Sequence, residues 1–431
     1  MRTTPVRKSK ANLSEVGSTG LREFGGQINE EFLRQLSGIK GLKTFGEMRD
    51  NDPTIGAILF VIDKLLRNVK WKAEPASADP RAVAEANFLA ECKDDMEHSW
   101  EDTISEILSM LTYGFAPLEK VYKIRAGVET TNKSFYSKYK DGRVGWRKLP
   151  LRAQETVWGW NRDADGDVES LEQLPPFGQK VTIPVSKLLL FRTVSYKNNP
   201  QGRSILRNSY RPWHFKKRIE EIEGIGIERD LAGLPVAHVP ASMLSPNASP
   251  EEKATLAVIR QMVTSIRRDT QEGIVFPLVY DSDKNLMYKL ELLNSGGARQ
   301  FDTSQIVDRY DKRIAMTVLA DFIFLGQSKV GSFALSSDKT DMFAASLGAW
   351  LNDIAAVFNR DAVPQLMKLN SVPPEFWPKL VPGDIEKADI TKFADAVSKL
   401  LLCGALLPSD DLNDKSRVML ELPLVESDGN S

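Results

Sequence analysis

Apolar residues recur at three-to-four spacing after Asp52-Pro53, through Ile55, Ile58, Leu59, Ile62, Leu65 and Leu66, which predicts a helix opening at the proline. Val69, Trp71 and Ala73 then alternate with Lys70, Lys72 and Glu74, the two-residue period of a strand, and Pro75 ends it. A second helix is expected from near Pro80, with Ala84, Phe88, Leu89 and Cys92 on one face. A third runs from Trp100 to Leu111 with Ile104, Ile107, Leu108 and Met110 inward, and Gly114 supplies its stop. From Leu118 to Phe191 the pattern turns strand-rich, through Val121-Tyr122, Trp146, Val157 to Trp160, Val181 to Ile183 and Leu188 to Phe191. The first half therefore reads as α+β.

The texture changes at Ile205. A helical stretch through Tyr210, Trp213, Phe215, Ile219, Ile222 and Ile227 reaches Leu231, and at 1.5 Å per residue it spans roughly 40 Å. Pro212, Gly224 and Gly226 lower its helix propensity and allow a bend. A small unit follows, with Leu234-Pro235, a loop holding Pro246 and Pro250, a helix from Glu251 to Arg267, and strand-like Gly273 to Tyr280 and Leu286 to Leu293. Ser295-Gly296-Gly297 closes it. A second long helix, Thr303 to Phe324, puts Ile306, Tyr310, Ile314, Val318 and Phe322 near one side. A polar loop, Gly326 to Ser337, leads to a third long helix, Asp338 to about Val363, which Pro364 ends or kinks. Pro373, Pro374, Pro378 and Pro382 mark a linker, followed by an amphipathic helix from Ile385 to Leu402 and an acidic tail.

A chain of 431 residues is long for one core, so two or more packed units are expected. Lys plus Arg number 57 against 58 Asp plus Glu, a net charge of −1, so no global positive field draws this protein to nucleic acid and any such contact is local. Cys92 and Cys403 match no CxxC spacing, which fits a reducing compartment and argues against a disulfide framework or a zinc site. The polar stretch from Met1 to Gly20, with Arg2, Arg7, Lys8 and Lys10, has no apolar core of a signal peptide and reads as a flexible arm. The longest apolar runs, Ile55 to Ile62 and Thr317 to Leu325, fall well below the roughly 18 residues of a membrane span, so a soluble protein is expected.

Candidate chemistry is sparse. His98, His214 and His238 sit in no metal or triad motif, and no catalytic residue, cofactor or metal ligand is assigned. Carboxylate-only metal sites stay open, because paired Asp and Glu are common. The segment Gly326-Gln327-Ser328-Lys329-Val330-Gly331-Ser332 has the glycine spacing of a phosphate-binding loop but lacks the lysine after its second glycine that reaches the β and γ phosphates, so it reads as a glycine-hinged loop. Asn161 to Glu172 matches a calcium-loop spacing, with oxygen-bearing residues at its first, third and fifth places, Gly166 at the sixth and Glu172 at the twelfth. Its flanks look like strands, which favours a hairpin around the Asp-Gly turn. Between Tyr196 and Arg218 lie Lys197, Arg203, Arg207, Arg211, Lys216, Lys217 and Arg218 with no acidic residue, interleaved with Tyr210, Trp213 and Phe215. That is either a phosphate-binding patch or a basic face paired with Glu220, Glu221 and Glu223 or a neighbouring subunit.

The order of these segments resembles the portal proteins of tailed bacteriophages, especially those of Mu-like phages. The resemblance is carried by Asp52-Pro53 with its helix and Trp71-Lys72, by Tyr113-Gly114-Phe115-Ala116-Pro117-Leu118-Glu119, and by Pro200-Gln201-Gly202-Arg203-Ser204-Ile205-Leu206 leading into Tyr210, Trp213 and Phe215-Lys216. Glu228-Arg229-Asp230 with Gly233-Leu234-Pro235, and the helix-loop-helix from Asp302 to Leu369, extend it over roughly Gly46 to Leu402. It implies an α+β portal fold, assembled as a cyclic homo-oligomer that is commonly a dodecamer. Residues 1–45 would be a flexible arm, 46–204 an α/β wing, 205–231 the first stem helix, 232–301 a small α/β clip and 302–325 the second stem helix. Residues 326–337 would be a tunnel loop, 338–383 a long wing helix with a Pro-rich linker, and 384–431 a helical crown and tail.

The same resemblance implies Gly326, Gln327, Ser328, Lys329, Gly331, Ser332, Ser336 and, just beyond, Lys339 at the DNA channel. The implied partners are double-stranded DNA, the terminase large subunit, a head-tail adaptor, and capsid and scaffolding proteins, with no membrane, in the virion and, during assembly, the host cytoplasm. A near-neutral chain suits passage, since duplex DNA carries a charge per roughly 1.7 Å and a strongly basic lumen would hold it. The competing readings are a DNA-processing enzyme with a carboxylate-bound metal and a head or adaptor protein that forms no channel.

Overall fold

The computed structural model describes residues 17–163, 166–232, 234–265, 279–280, 286–293, 302–318, 333–383 and 385, with side chains described outside 227–235, 264–265, 292–293 and 333–341. The chain divides into two units, His214–Tyr310 and the remainder. No helix among the described residues is long and apolar enough to cross a membrane.

The larger unit begins earlier than the expected arm boundary. A short hairpin, β1 (Glu23–Phe24) with β2 (Gln27–Ile28), and helix α1 (Gly38–Asn51) occupy positions assigned to a flexible segment. Leu21, Ile28, Leu33, Leu36 and Phe45 supply the apolar contacts that hold this stretch to the body. Helix α2 (Pro53–Arg67) starts where the sequence places it: the Asp52 carboxylate accepts the Ile55 amide at 2.9 Å, and Pro53 fills the first turn, where an amide would have no partner. Strand β3 (Trp71–Glu74) and helix α3 (Pro80–Asp94), capped by Asp79, follow. Helix α4 (Trp100–Tyr113) is capped by Ser99, has Glu101 and Asp102 in its positive first turn, and ends on Gly114 at φ 96°.

Antiparallel pairs dominate the next segment. Strand β4 (Phe115–Glu119) pairs with β10 (Leu188–Arg192), and β5 (Val121–Ala126) pairs with β6 (Lys140–Lys148). Strands β7 (Val157–Arg162), β8 (Val168–Gln173) and β9 (Val181–Pro184) form a three-stranded sheet.

Beyond Arg192 the boundaries shift from the sequence reading. A single 3-10 turn, Ile205–Arg207, precedes α5 (Tyr210–Ala232), with Ser204 capping the turn and the Ser209 carbonyl accepting the Trp213 amide. Pro212 falls in the first turn of α5, where its missing amide costs nothing, and the helix runs through Gly224 and Gly226. Helix α6 (Pro250–Ser265) lies between strand β11 (Leu234–His238) and strand β12 (Lys289–Leu293), which pair antiparallel. Helix α7 (Thr303–Met316) is followed by a turn at residues 317–318, and the rest of the expected Thr303–Phe324 helix lies outside the described residues. Helix α8 (Phe333–Val357) starts before Asp338, so residues 333–337 of the expected loop are helical.

Pro364 does not end that helix. A π-turn, Phe358–Ala362, joins α8 to α9 (Val363–Leu369), and the Val363 amide bonds back five residues to the Phe358 carbonyl. A wider turn lets the proline ring pass the carbonyl with which it would clash in a regular helix. The expected proline linker contains strand β13 (Lys379–Pro382), paired antiparallel with β3. The amphipathic helix expected over 385–402 and the acidic tail lie outside the described residues apart from Ile385.

The π-turn places Phe358, fully buried, at the centre of the main core. Its ring lies 5.0 Å from Trp100 of α4, 5.4 Å from Phe191 of β10, 6.3 Å from Trp146 of β6 and 6.4 Å from Trp71 of β3. One side chain thus touches four elements drawn from across the unit. Next to the turn, Asn359 bonds the Leu380 backbone in both directions at 2.8 Å, and the buried Lys120 ammonium donates to the Asp361 carbonyl at 2.9 Å.

A buried ion pair joins the end of α3 to β5. Lys123 and Asp95 lie 2.9 Å apart with both side chains almost wholly enclosed, and Asp95 also accepts from Ser137 Oγ (2.6 Å) and the Lys138 amide (2.8 Å). Burial pushes the Asp95 carboxyl up, but the hydrogen bonds from Ser137, Lys138 and Lys123 outweigh it and hold the group below the usual carboxylate range. Cys92 lies nearby, its thiol pushed up to about 12 by burial, so it is an inert core residue.

In the smaller unit α5 and α7 run antiparallel. Phe215 stacks on Tyr310 at 6.4 Å, and Thr303 donates to the Glu223 carboxylate, so ascending positions on one helix meet descending positions on the other.

Two predictions follow from these cores. Phe358→Ala should lower stability by about 3–5 kcal/mol in denaturant titration, and Phe358→Leu by much less. Because the Asp95 pKa is depressed on folding, its contribution is present above the unfolded value of about 4 and is lost as pH falls through the lower folded value. Acid unfolding followed by circular dichroism should therefore show Asp95→Asn less stable than the parent at neutral pH, with the difference shrinking in strong acid.

Candidate functional site

Two glycine-bearing motifs that lie far apart in the chain meet in space. Gly114 ends α4, and Gly202 at φ 54° lies in the connector between β10 and the 3-10 turn. A Cβ on Gly114 would stand 2.6 Å from the Gln201 carbonyl, and one on Gly202 would collide with the Gly114 carbonyl, so the two backbones touch with no room for a side chain. The Gly114 carbonyl accepts from the Thr193 amide (3.1 Å) and from Thr193 Oγ (3.2 Å), which also bonds the Arg203 backbone.

The connector itself carries unusual geometry. Lys197 (φ 54°) and Asn198 (φ 52°) are consecutive non-glycine residues in the left-handed region. Asn199 closes the next turn by accepting the Gln201 amide at 2.9 Å, and Arg192 reaches across to the Asn199 carbonyl at 3.1 Å. Burial, helped by the neighbouring Arg360 charge, lowers the Arg192 pKa.

The residues of the candidate basic patch divide between the two units. In the larger unit Arg207 makes a two-pronged pair with the Glu31 carboxylate, at 2.5 and 2.7 Å, while Arg203 and Arg211 are exposed. In the smaller unit Lys216 is buried, 4.0 Å from Glu220 one turn on, and Lys217 and Arg218 are exposed. Acidic partners from upstream and downstream thus take up part of the charge. Glu30 and Glu31 were missed by sequence reasoning because their segment was read as an arm. The signal was there in the apolar spacing of Leu21, Ile28, Leu33 and Leu36 around them.

Asn161 to Glu172 forms a strand-turn-strand unit. Asn161 faces Ser170 across the β7–β8 ladder, the Asp167 amide donates to Asp163 Oδ1 at 2.9 Å, and Glu172 pairs with Lys180 at 2.5 Å. Among the described residues no group of three metal-ligating side chains occurs. His238 contacts Glu291 at 2.7 Å on the β11–β12 ribbon. Of the tunnel-loop residues, Gly326, Gln327, Ser328, Lys329, Gly331 and Ser332 lie outside the described residues, while Ser336 and Lys339 fall in the first turns of α8.

The family model for the portal protein of Mu bacteriophage matches residues 42–418. The chain belongs to that portal family. Two solved structures are similar over 89% of this chain and 94% of theirs: the neck of an empty GTA particle computed with C6 symmetry, at 11% identity, and the neck of a native GTA particle computed with C12 symmetry, at 12% identity, each with a TM-score of 0.48. In this portal-family chain the Tyr113-Gly114-Phe115 and Gln201-Gly202-Arg203 motifs are two sides of one backbone contact.

Either glycine replaced by alanine should therefore lower stability, by roughly 1–3 kcal/mol from backbone strain alone and more where the backbones are forced apart. Thermal unfolding of Gly202→Ala beside Arg203→Ala, which leaves the contact intact, checks this.

Proposed function

We propose that this protein is the subunit of a portal ring, the channel at one capsid vertex through which double-stranded DNA is packaged and ejected. Membership of the Mu portal family carries this reading. The antiparallel α5–α7 pair flanking a small unit of β11, α6 and β12 supports it, since that is the arrangement expected of a stem with a clip at its end. Residues 46–204 with α8 and α9 then form the wing, and residues from 384 onward the crown. Subunits close into a cyclic homo-oligomer, a dodecamer in this reading. The segment 326–332 lines the DNA path as a tunnel loop, touching phosphates through Lys329 and not through a fixed site.

The protein's role is structural, with ATP-driven packaging done by a terminase large subunit docked on the ring, and with the head-tail adaptor, capsid and scaffolding proteins as further partners. It resides in the virion after assembly in the host cytoplasm. Images of the purified full-length protein should contain closed rings with an axial hole, and Lys329→Ala should keep the rings while changing DNA packaging or retention in reconstituted heads. A monomeric mass by light scattering across a wide concentration range, with no rings in images, would overturn the reading.

A further inference from the structure

Among the described residues before α1, Glu23, Glu30 and Glu31 are each bonded to a cation in the body of the larger unit. Glu23 pairs with Arg162 at 2.7 Å, Glu30 with Lys197 at 3.0 Å and Glu31 with Arg207 at 2.5 Å. Two of these three cations belong to the connector: Lys197 is one of its left-handed residues and Arg207 closes the 3-10 turn three residues before α5 begins.

The acids are positioned before they meet their partners. Glu30 accepts the Arg22 amide at 2.7 Å across the hairpin, where the Asn29 amide also bonds the Arg22 carbonyl at 2.8 Å. Glu31 accepts the Leu33 amide at 2.9 Å. Each carboxylate is thus fixed by its own backbone and presented as a stationary anion. Lys197 and Arg207 must come to it, and a lysine with φ of 54° is a residue held against its ordinary preference. Asn198 follows it into the same region, and Asn199 and Gly202 complete a turn; Val194 and Tyr196 are exposed, while Pro200 and Leu206 are buried.

The geometry points to a latch: Glu30 and Glu31 hold residues 194–207 in one strained conformation, and release of these two pairs is the conformational step that loosens the connector. Both pairs keep about a quarter of their side-chain surface open to solvent, so competing ions or a charged partner surface can reach them. Naming the connector a wing-to-stem joint rests on the proposed portal function; the latch itself does not.

Hydrogen exchange read by mass spectrometry on the full-length protein tests this. In Glu30→Gln/Glu31→Gln, amides of residues 194–207 should exchange about fivefold faster, the effect of losing two partly exposed ion pairs, while α2, α4 and β4 keep their protection. Adding Lys197→Gly to that variant should restore protection at 194–199, because glycine holds the left-handed turn without help. Exchanging the charges in Glu31→Arg/Arg207→Glu should keep the 203–207 segment protected. Unchanged exchange at 194–207 in the double variant overturns the latch, and so does an equal loss of protection across the whole unit, which would make the strap an ordinary stabilising element. Images of the same samples report rings separately, so an absence of rings would count against the portal reading while leaving the exchange result to decide the latch.

Discussion

The larger unit depends on a conflict between Pro364 and the helix that contains it. A proline in that position removes one amide and drives its ring toward the carbonyl a turn earlier, so a regular helix is not available. The widened turn resolves the clash and, in doing so, rotates Phe358 into the middle of Trp71, Trp100, Trp146 and Phe191. Asn359 and the Asp361 carbonyl, exposed by the same distortion, are taken up by β13 and by Lys120. An irregularity that would weaken an isolated helix here positions the contacts that bind α4, β3, β6 and β10 together.

Much of this was legible from spacing alone. The starts of α2 and α3, the stop of α4 at Gly114 and the β7–β8 hairpin at the Asp-Gly turn rest on local chemistry that a short window of sequence contains. The errors have a common cause in partners that are distant in the chain. Residues 379–382 look like a proline-rich linker until β3 is beside them, and the 21–36 segment looks like an arm until Trp160 donates its amide to Gly26. Likewise Lys197 and Arg207 read as a free basic surface only as long as Glu30 and Glu31 are unknown to be opposite them.

The site was half visible in the same sense. Glycines 114 and 202 were each conspicuous within their own motif, yet nothing in either motif says that the other is its neighbour. Their contact is a property of two backbones, and composition carries no trace of it. The close approach explains why each motif contains a residue without a side chain.

The pairing of β3 with β13 has a consequence for the life of the chain before it reaches any assembly. The two strands are separated by roughly three hundred residues, so during synthesis β3 waits with an unpaired edge until nearly the whole protein has left the ribosome. Phe358 reaches Trp71 and Trp100 equally late. A nascent or truncated chain that stops short of β13 therefore has an incomplete core and an open strand edge. The topology ties completion of this core to synthesis beyond Pro382.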